Sequence, residues 1–267
     1  MPSLIRSASL TNFTEIAQQC GLDPLALLRA VGLPVKCLDD PDMKISTHAV
    51  VRLLEMAARQ AAEPAFGLRM GESRRLSNLG PLGLLVRDEP SLRHALEAIV
   101  RHIRVHNEAL VIRLEEVDQW VMIREEFAVE SSESKRQATE LAMAVTYRTL
   151  SVLMGSAWRP RLVCFTHSAP PKRSTHLRVF GEQVQFDHEF NGLVCRLSDL
   201  DQPNPSADPV MARYAQELVS SKSIGAPSFA QQVQQLILLL LPEPPAPAGG
   251  FFGAPHQTCR VLRLAGG

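Results

Sequence analysis

The sequence predicts an α+β fold in which a small antiparallel sheet is interleaved with helices and packed by them. Two observations lead to this prediction. Several segments repeat apolar residues at steps of three and four, the spacing that places them on one face of a helix. Residues 110–127 instead carry alternating and β-prone residues on both sides of a short break. Because these apolar faces can be covered only by packing on one another, we expect one main domain over residues 1–225.

Four predicted helices begin at a residue whose side chain can accept hydrogen bonds from the first turn. These residues are Asn12, Asp23, Ser46 and Ser91. The helix after Ser91 has the most regular apolar stripe, formed by Leu92, Ala95, Leu96, Ile99 and Ile103. We therefore expect this helix to face the core.

The chain before Ser91 is expected to form a short apolar turn and then a break, because Gly80, Pro81 and Gly83 interrupt the helical pattern. Three further helices are predicted over 132–155, 210–219 and 229–241. The first of these is the longest, and a glycine stands at its C-terminal end. We expect it to pack across the sheet.

The strand pattern predicts two hairpins and one further strand. The first hairpin lies within residues 110–127, and a third strand is predicted over 162–166. The second hairpin is predicted to pair 184–186 with 193–197 around Asn191–Gly192, since Asn followed by Gly is typical of a tight turn.

The C-terminal stretch differs in composition from the rest of the chain. We interpret residues 226–242 as a linker and the start of a further segment. From residue 243 to 267, prolines and glycines are too dense for a helix or a strand. This stretch is expected to be a disordered tail.

Composition limits the possible partners and the cellular compartment. The chain has 28 basic and 28 acidic residues, so it lacks the overall positive charge that would attract nucleic acid or anionic lipid. Its five cysteines never form a CxxC pair, which argues against a disulfide framework or a zinc ribbon and favours the cytoplasm. The longest aliphatic run, 236–241, is too short to cross a bilayer, so no membrane association is expected.

No catalytic signature is present in the sequence. There is no HExxH, phosphate-binding loop, GxSxG or dinucleotide fingerprint. The adjacent carboxylates Glu115–Glu116 and Glu125–Glu126 lie on predicted strands and therefore point to opposite faces. We predict that the chain is not an enzyme and uses no cofactor.

His102 and His106 are the pair with the clearest chemical alternatives. They are four residues apart on one predicted helix, a spacing that lets two imidazoles share a metal ion. No third ligand follows from the spacing, whereas a tetrahedral zinc site needs at least three protein ligands. Two partly buried histidines without a metal are therefore the favoured interpretation, and a metal-binding protein or enzyme is the alternative.

Other side chains are candidates for binding a small molecule. Arg69 and Arg101 could each hold a carboxylate through two parallel hydrogen bonds, although an exposed arginine needs no such explanation. Arg136 and Glu140 could contact a ligand, but their spacing also fits an ordinary pair within one helix. Trp120, Trp158 and Phe165 could form a pocket wall, although aromatic residues more often belong to the core.

Seven segments in a fixed order carry a resemblance to a known family. They read GLDPLALLRAVGLP (21–34), FGLRMGE (66–72), LGPLGLLVRDEPSLRHAL (79–96), RQATELA (136–142), FTHSAP (165–170), HLRVFGEQVQFDHEFNGLV (176–194) and LDQPNPSADPVMAR (200–213). Over roughly residues 5–242 they resemble the N-terminal effector-sensing domain of AraC-type bacterial transcription regulators. The subgroup is the one whose sensing domain is not a cupin barrel.

The resemblance implies a small organic effector, such as a carboxylate or an amino-acid derivative, bound between the helix over 91–108 and the hairpin that follows it. The candidate effector-binding residues are Arg69, Arg101, His102, His106, Trp120, Arg136, Glu140 and Phe165. Binding of the effector would serve transcriptional control.

The resemblance also implies two helix-turn-helix units after a segment such as QQVQQLILLLLP. Here the Pro- and Gly-rich stretch follows instead, so we expect a regulator truncated before its DNA-binding part. DNA would then be bound only through that missing part. A further alternative is a partner protein that does not bind DNA and dimerises with intact paralogues, and a homodimer is also compatible with the resemblance.

Overall fold

A computed structural model describes residues 3–129 and 134–222 of the chain. The chain separates into two units, Met1–Ser223 and Ile224–Gly267, and every described residue belongs to the first unit. The predicted linker, the last predicted helix and the predicted tail lie outside the described residues.

Helices are the main elements of the described part of the chain. They are α1 (Phe13–Gln19), α2 (Pro24–Val31), α3 (Thr47–Gln60), α4 (Phe66–Gly71), α5 (Pro81–Asp88), α6 (Leu92–His106), α7 (Arg136–Met154), α8 (Ser174–Phe180), α9 (Leu197–Leu200) and α10 (Pro209–Lys222). Short 3-10 turns lie at Ser7–Leu10, Val35–Leu38 and Leu76–Leu79. Every helix predicted within the described residues is present, and α7 is the longest of them, as predicted.

The strands form two sheets. They are β1 (Leu4–Arg6), β2 (Lys44–Ser46), β3 (Leu110–Val117), β4 (Trp120–Phe127), β5 (Leu162–Cys164), β6 (Val184–Gln185) and β7 (Gly192–Arg196). β1 and β2 form a small antiparallel sheet, and the larger sheet has the order β3-β4-β7-β5-β6. The larger sheet is mixed, because β5 and β6 run parallel while its other neighbours are antiparallel. The predicted α+β class is confirmed.

The first predicted hairpin is confirmed, but the second is wrong. β3 and β4 pair antiparallel, whereas β6 pairs with β5 and β7 lies between β4 and β5. The side-chain oxygen of Asn191 accepts from the backbone N–H of Thr166 at 3.0 Å, so this residue holds a loop rather than a tight turn. Gly192 lies so close to β4 that a Cβ would come within 2.4 Å of the carbonyl oxygen of Ile123. Contacts with other strands therefore override the local turn signal.

The break predicted around Pro81 is also wrong, because Pro81 is the first residue of α5. A proline fits the first helical position, where its missing N–H would have no partner within the helix. The Gly80–Pro81 pattern therefore marks the start of a helix and not a break between helices.

Three of the four predicted caps are confirmed. Side-chain oxygens of Asp23, Ser46 and Ser91 accept from backbone N–H groups in the first turns of α2, α3 and α6. Asn12 does not cap α1, and its side chain contacts Ser73 at 2.5 Å instead. The start of α7 receives its acceptor from a distant part of the chain, since Glu55 of α3 accepts from the backbone N–H of Gln137 at 2.8 Å.

The core lies between the helices and the larger sheet. α4 approaches α7 closely because Gly67 and Gly71 face it. A Cβ at Gly67 would lie 2.1 Å from the carbonyl oxygen of Gln137, and one at Gly71 would lie 2.4 Å from Cβ of Ala144. On β4, the core-facing positions alternate as Val121, Ile123, Glu125 and Phe127, so three apolar side chains and one carboxyl point inward. Among the described residues, none of the helices is long and apolar enough to cross a membrane.

A candidate effector cavity and a buried polar cluster

A cavity lies between α3, α6, α7 and the β3–β4 hairpin. It contains about 790 Å³ of space not filled by atoms, its opening to solvent included. Its apolar lining consists of Ile5, Val50, Val51, Leu54, Leu79, Ile99, Ile103, Leu110, Ile112, Phe127, Ala138, Leu141, Ala142 and Val145. Its polar lining consists of Ser9, Thr47, Arg74, Asn78, His106, Asn107, Thr146 and Thr149. A mostly apolar wall with a few polar groups is typical of small-molecule sites.

The helical stripes explain why these side chains meet. On α6, Ile99, Ile103 and His106 follow one another at steps of four and three, and on α7 Ala138, Leu141 and Val145 do so at steps of three and four. The stripe predicted from the sequence for α6 thus forms one wall of the cavity. His106 extends that stripe by one turn and brings an imidazole into the wall.

Arg74 is the charged guanidinium of the cavity wall. Its side chain is only 4% exposed, and its two terminal nitrogens donate to the backbone carbonyls of Ala8 and Ser9. Its Nε makes no hydrogen bond, and no carboxylate among the described residues forms an ion pair with it. Burial lowers the pKa of Arg74 to about 10, which still leaves the side chain charged at neutral pH.

His106 is a neutral imidazole beside several positive charges. Burial, together with the charges of Arg6, Arg74 and Lys44, lowers its pKa to about 3. Nδ1 of His106 lies 3.4 Å from Nη1 of Arg6. Because a guanidinium can only donate, Nδ1 acts as the acceptor and the ring proton belongs on Nε2. His106 therefore offers a neutral N–H donor.

Arg6 differs from Arg74 because its charge has a partner. Its Nη2 lies 2.8 Å from Oδ1 of Asp42, and its Nη1 donates to the backbone carbonyl of Asn78 at 3.1 Å. Both arginines are buried, but the charge of Arg74 meets only neutral carbonyls. The positive potential near His106 is thus only partly compensated.

Glu125 is a buried carboxyl on β4 that does not itself line the cavity, although its register partner Ile112 does. It is 4% exposed, lies opposite Ile112 in the β3–β4 register, and has no hydrogen-bond partner on either oxygen. Burial raises the pKa of Glu125 to about 7, and the nearby hydroxyl of Thr146 offsets this only in part. Its neighbour Glu126 is exposed, so the two carboxylates do point apart as predicted.

A second polar region, here called the Glu140 cluster, consists of Arg136, Glu140, His167, His176 and Phe165. Oε1 of Glu140 lies 2.9 Å from Nε of Arg136, 3.0 Å from Nε2 of His176 and 3.2 Å from Nε2 of His167. Glu140 is 0% exposed, and its Oε2 makes no hydrogen bond. The ring centroid of Phe165 lies 5.0 Å from that of His167 and 5.9 Å from that of His176.

The partners of Glu140 decide its charge state. Burial alone would raise its pKa, but the close Nε2 of His167, the hydrogen bond with His176 and the positive charge of Arg136 lower it to about 2. Glu140 is therefore a buried carboxylate. The cluster joins the start of α7 to α8 and to the loop that contains His167.

The structure distributes the sequence-predicted site residues over several places. Of the eight candidates, His106 lines the cavity, while Arg136, Glu140 and Phe165 meet in the Glu140 cluster. Trp120 is buried on the face of β4 opposite to the core-facing residues. The effector-binding role of all eight residues stays a prediction.

The two remaining arginine candidates and Trp158 lie elsewhere. Arg69 contacts Glu63 at 3.2 Å and Gln19 at 3.0 Å, and Arg101 is exposed on α6. Nε1 of Trp158 donates to Asp199 at 3.1 Å. None of the three side chains lines the cavity described above.

The two histidines of α6 have different surroundings. Nε2 of His102 lies 3.2 Å from Nε2 of Gln216 on α10, whereas His106 faces the cavity. Within residues 3–129 and 134–222, no group of three His, Cys, Asp or Glu side chains is arranged to hold a metal ion. The positive charges around His106 also disfavour a bound cation there.

Sequence reasoning missed Arg74, Glu125, His167 and His176. Glu125 had a detectable signal, because it interrupts the apolar alternation of Val121, Ile123 and Phe127 on a predicted strand. The other three lie outside any regular apolar pattern of the predicted elements. Only the packing of distant segments brings them to the cavity and the cluster.

Comparisons with known proteins agree with the resemblance noted in the sequence. Residues 21–204 match the family model described as the arabinose-binding domain of AraC transcription regulator, N-term. The HTH-type transcriptional regulator VirS of Mycobacterium tuberculosis is 29% identical over 245 residues, which cover 90% of this chain and 72% of VirS. The ornithine utilization regulator of Pseudomonas aeruginosa is 24% identical over 252 residues, covering 94% of this chain and 73% of that protein.

A solved structure shares the fold. The crystal structure of transcriptional regulator CdpR from Pseudomonas aeruginosa aligns with a TM-score of 0.55 and 16% identity, covering 90% of this chain and 73% of that one. At this identity the likeness concerns the fold alone.

Proposed function

Because the chain belongs to the family of N-terminal arabinose-binding domains of AraC transcription regulators, we propose that its cavity between α3, α6, α7 and the β3–β4 hairpin is the effector site. The observation that carries this proposal is the cavity itself. It is mostly apolar and lies between elements that are distant in the sequence. A ligand in the cavity would contact all four elements. It would therefore stabilise the relative positions of these elements that bind it best.

The proposed effector is a small organic molecule, either a carboxylate or an amino-acid derivative. The cavity supports the predicted location, because α6 and the hairpin after it both contribute to the wall. The cavity supports His106 as a direct contact of the effector. Arg136, Glu140 and Phe165 lie in the Glu140 cluster instead and would not touch an effector in the cavity. The name of the Pseudomonas relative, which refers to ornithine utilization, is compatible with an amino-acid derivative.

The proposed output is control of transcription. VirS and the ornithine utilization regulator are both regulators by name, and the family model describes a regulator domain. DNA recognition would require a helix in the major groove and several basic side chains on phosphates. In this proposal, the described residues sense the effector and a DNA-binding region reads the promoter.

A homodimer is a further part of the proposal. Four apolar side chains of α10, Val210, Met211, Tyr214 and Leu218, are exposed. Such a stripe favours a contact with another protein surface. Sedimentation equilibrium of the pure protein measures this directly, and a strictly monomeric chain at high concentration would contradict the dimer.

The effector proposal is tested by thermal unfolding with a panel of organic acids and amino-acid derivatives. A ligand at about 100 times its dissociation constant raises the free energy of unfolding by roughly 2.7 kcal/mol. Ala142→Trp fills the cavity from α7 and should abolish this gain. Val152→Trp places the same side chain on an exposed position of α7 and should leave the gain unchanged. Binding that survives Ala142→Trp would place the effector elsewhere.

A further inference from the structure

We propose that the cavity takes an amphipathic molecule with one anionic head, which Arg74 binds, and that it rejects a zwitterion. The inference rests on the proposed function, because it names the ligand class for the same cavity. It selects one of the two classes left open above, the carboxylate, and assigns its recognition to a side chain outside the sequence-predicted set.

The first reason is a missing negative charge. Arg74 belongs to the wall, whereas no Asp or Glu does. Among the described residues, no carboxylate lies within ion-pair distance of Arg74, in contrast to the 2.8 Å pair between Arg6 and Asp42. A buried charge without a partner costs free energy, and such charges in proteins are normally paired. A ligand anion would supply the partner.

The second reason is the geometry of the guanidinium. The carbonyls of Ala8 and Ser9 accept from its two terminal nitrogens and so fix its orientation. These carbonyls are neutral, and Nε remains without an acceptor although it is buried. A guanidinium has five N–H groups, so donors remain for a carboxylate. Arg74 is thus oriented by the protein but not neutralised by it.

The third reason is the surrounding charge. Neutral His106 offers a donor at Nε2, and the nearby Arg6 and Lys44 are paired with Asp42 at 2.8 Å and with Glu108 at 3.9 Å, so the uncompensated charge on this side is that of Arg74. An ammonium group would meet repulsion there and would find no carboxylate in the lining. Glu125 does not line the cavity, and burial raises its pKa to about 7, so it is a poor partner for a cation.

The fourth reason is the apolar remainder of the wall. Val50, Leu54, Ile103, Leu110, Phe127 and Leu141 offer neither charge nor hydrogen bond to a second polar group. Desolvating an ammonium against such side chains would not be compensated. An aliphatic or aromatic body attached to a single carboxylate fits this distribution.

The test compares matched ligands by isothermal titration calorimetry on the full chain. One set consists of octanoate, octanamide and octylamine, and another of 4-phenylbutyrate and its amide. For at least one set, we expect the carboxylate to bind ten-fold or more tightly than its amide, and octylamine not to bind. Arg74→Met should remove this preference by weakening the carboxylate at least ten-fold while leaving the amide unchanged.

Two further variants separate recognition from folding. Arg74→Met also removes the hydrogen bonds to the carbonyls of Ala8 and Ser9, which could destabilise that part of the fold. Arg74→Lys keeps the positive charge and is therefore the second variant. Arg178→Met removes a surface arginine paired with Glu72 and should change no affinity. The wild-type preference for the carboxylate needs no variant and can be measured even if Arg74→Met unfolds.

The outcomes distinguish the two proposals. If an amide binds as tightly as its carboxylate and Ala142→Trp blocks both, the anionic class is wrong and the effector cavity stands. If octylamine binds best, the anionic class is also wrong. If no carboxylate binds up to millimolar concentration, the anionic class is rejected, whereas the effector cavity is judged by the broader panel and Ala142→Trp.

Discussion

The Glu140 cluster and the cavity both bury polar side chains, but they differ in whether a buried charge has a counter-charge. In the cluster, Glu140 meets Arg136 and two histidines under the ring of Phe165. At the cavity, Arg74 has only neutral acceptors, and Glu125, close to the cavity on β4, forms no ion pair among the described residues. Both regions contain buried atoms without a hydrogen-bond partner, among them Oε2 of Glu140 in the cluster and Nε of Arg74 at the cavity, but only the cluster gives its buried charge a counter-charge. A region whose charges are paired supports the fold, whereas an unpaired charge beside a cavity is suited to a ligand.

The two buried glutamates show that partners can reverse the effect of burial on the charge state of a carboxyl. Burial acts in the same direction on both carboxyls. At Glu125 it prevails and raises the pKa to about 7, while at Glu140 the close contacts of His167, His176 and Arg136 outweigh it and lower the pKa to about 2. Glu140 is charged at neutral pH, whereas Glu125 keeps its proton to a higher pH than an ordinary glutamate.

The largest expected effect follows from deleting an aromatic ring in each region. Phe165→Ala should lower the free energy of unfolding by about 4 kcal/mol, because this fully buried ring packs on His167 and His176. Phe127→Ala removes a ring that already faces the cavity and should cost about 2 kcal/mol. Urea denaturation followed by circular dichroism measures both. Equal losses would mean that the cavity wall is as tightly packed as the cluster.

The next largest effect concerns the matched carboxylate. Glu140→Gln should cost about 3 kcal/mol at neutral pH, since it leaves the guanidinium of Arg136 without its counter-charge. Its folded pKa is below the ordinary value of 4.5, so this stability is present above pH 4.5 and is lost as the pH falls through about 2.

The control is a surface pair between α4 and α8. Glu72 and Arg178 form an ion pair with side chains that are 30% and 56% exposed. Glu72→Gln should change stability by less than about 1 kcal/mol, because solvent screens such a pair. A Glu140→Gln loss no greater than that of Glu72→Gln would remove the distinction between the cluster and the surface.

A smaller effect is expected at the unmatched carboxyl. Glu125 keeps its proton up to about pH 7 in the folded chain but only to about 4.5 in the unfolded chain, so stability falls as the pH rises between these values. From pH 5 to 8, the wild type should lose on the order of 2 kcal/mol relative to Glu125→Gln. Denaturation series at four pH values, with Glu126→Gln as the exposed control, would show this. Parallel pH profiles for wild type and Glu125→Gln would contradict it.

The smallest effect is expected at a predicted site residue away from the cavity. Arg101 is exposed on α6, so Arg101→Ala should alter stability by less than about 0.5 kcal/mol and leave effector affinity unchanged. Calorimetry with any ligand that binds the wild type checks this. A marked loss of affinity would support Arg101 as an effector contact and move the binding site towards the surface of α6.

Local patterns predicted much of the fold. The stripe after Ser91 predicted both α6 and the face that forms the cavity wall, because side chains three and four residues apart share a helical face. The same reasoning predicted α3, α7 and the hairpin of β3 and β4. The alternation on β4 also contains a signal for Glu125, because this glutamate stands among the apolar core-facing positions of the strand.

Local sequence signals gave wrong predictions where a contact with a distant segment replaced the expected local hydrogen bond. Asn191–Gly192 is typical of a tight turn, yet Asn191 binds Thr166 and Gly192 packs on β4. Asn12 has the side chain of a cap, but it contacts Ser73 instead of the first turn of α1. In both cases a contact with a distant residue replaces the expected local hydrogen bond.

By itself, the sequence determined the α+β class, the helix starts at Asp23, Ser46 and Ser91, and the family resemblance, because each depends on spacing along the chain. The tertiary structure alone decided which polar groups share a site. Arg74 reaches the cavity, and His176 reaches Glu140, only after segments far apart in the sequence pack together. Charge matching depends on distance in space, and periodicity within one element carries no information about the distance between two elements.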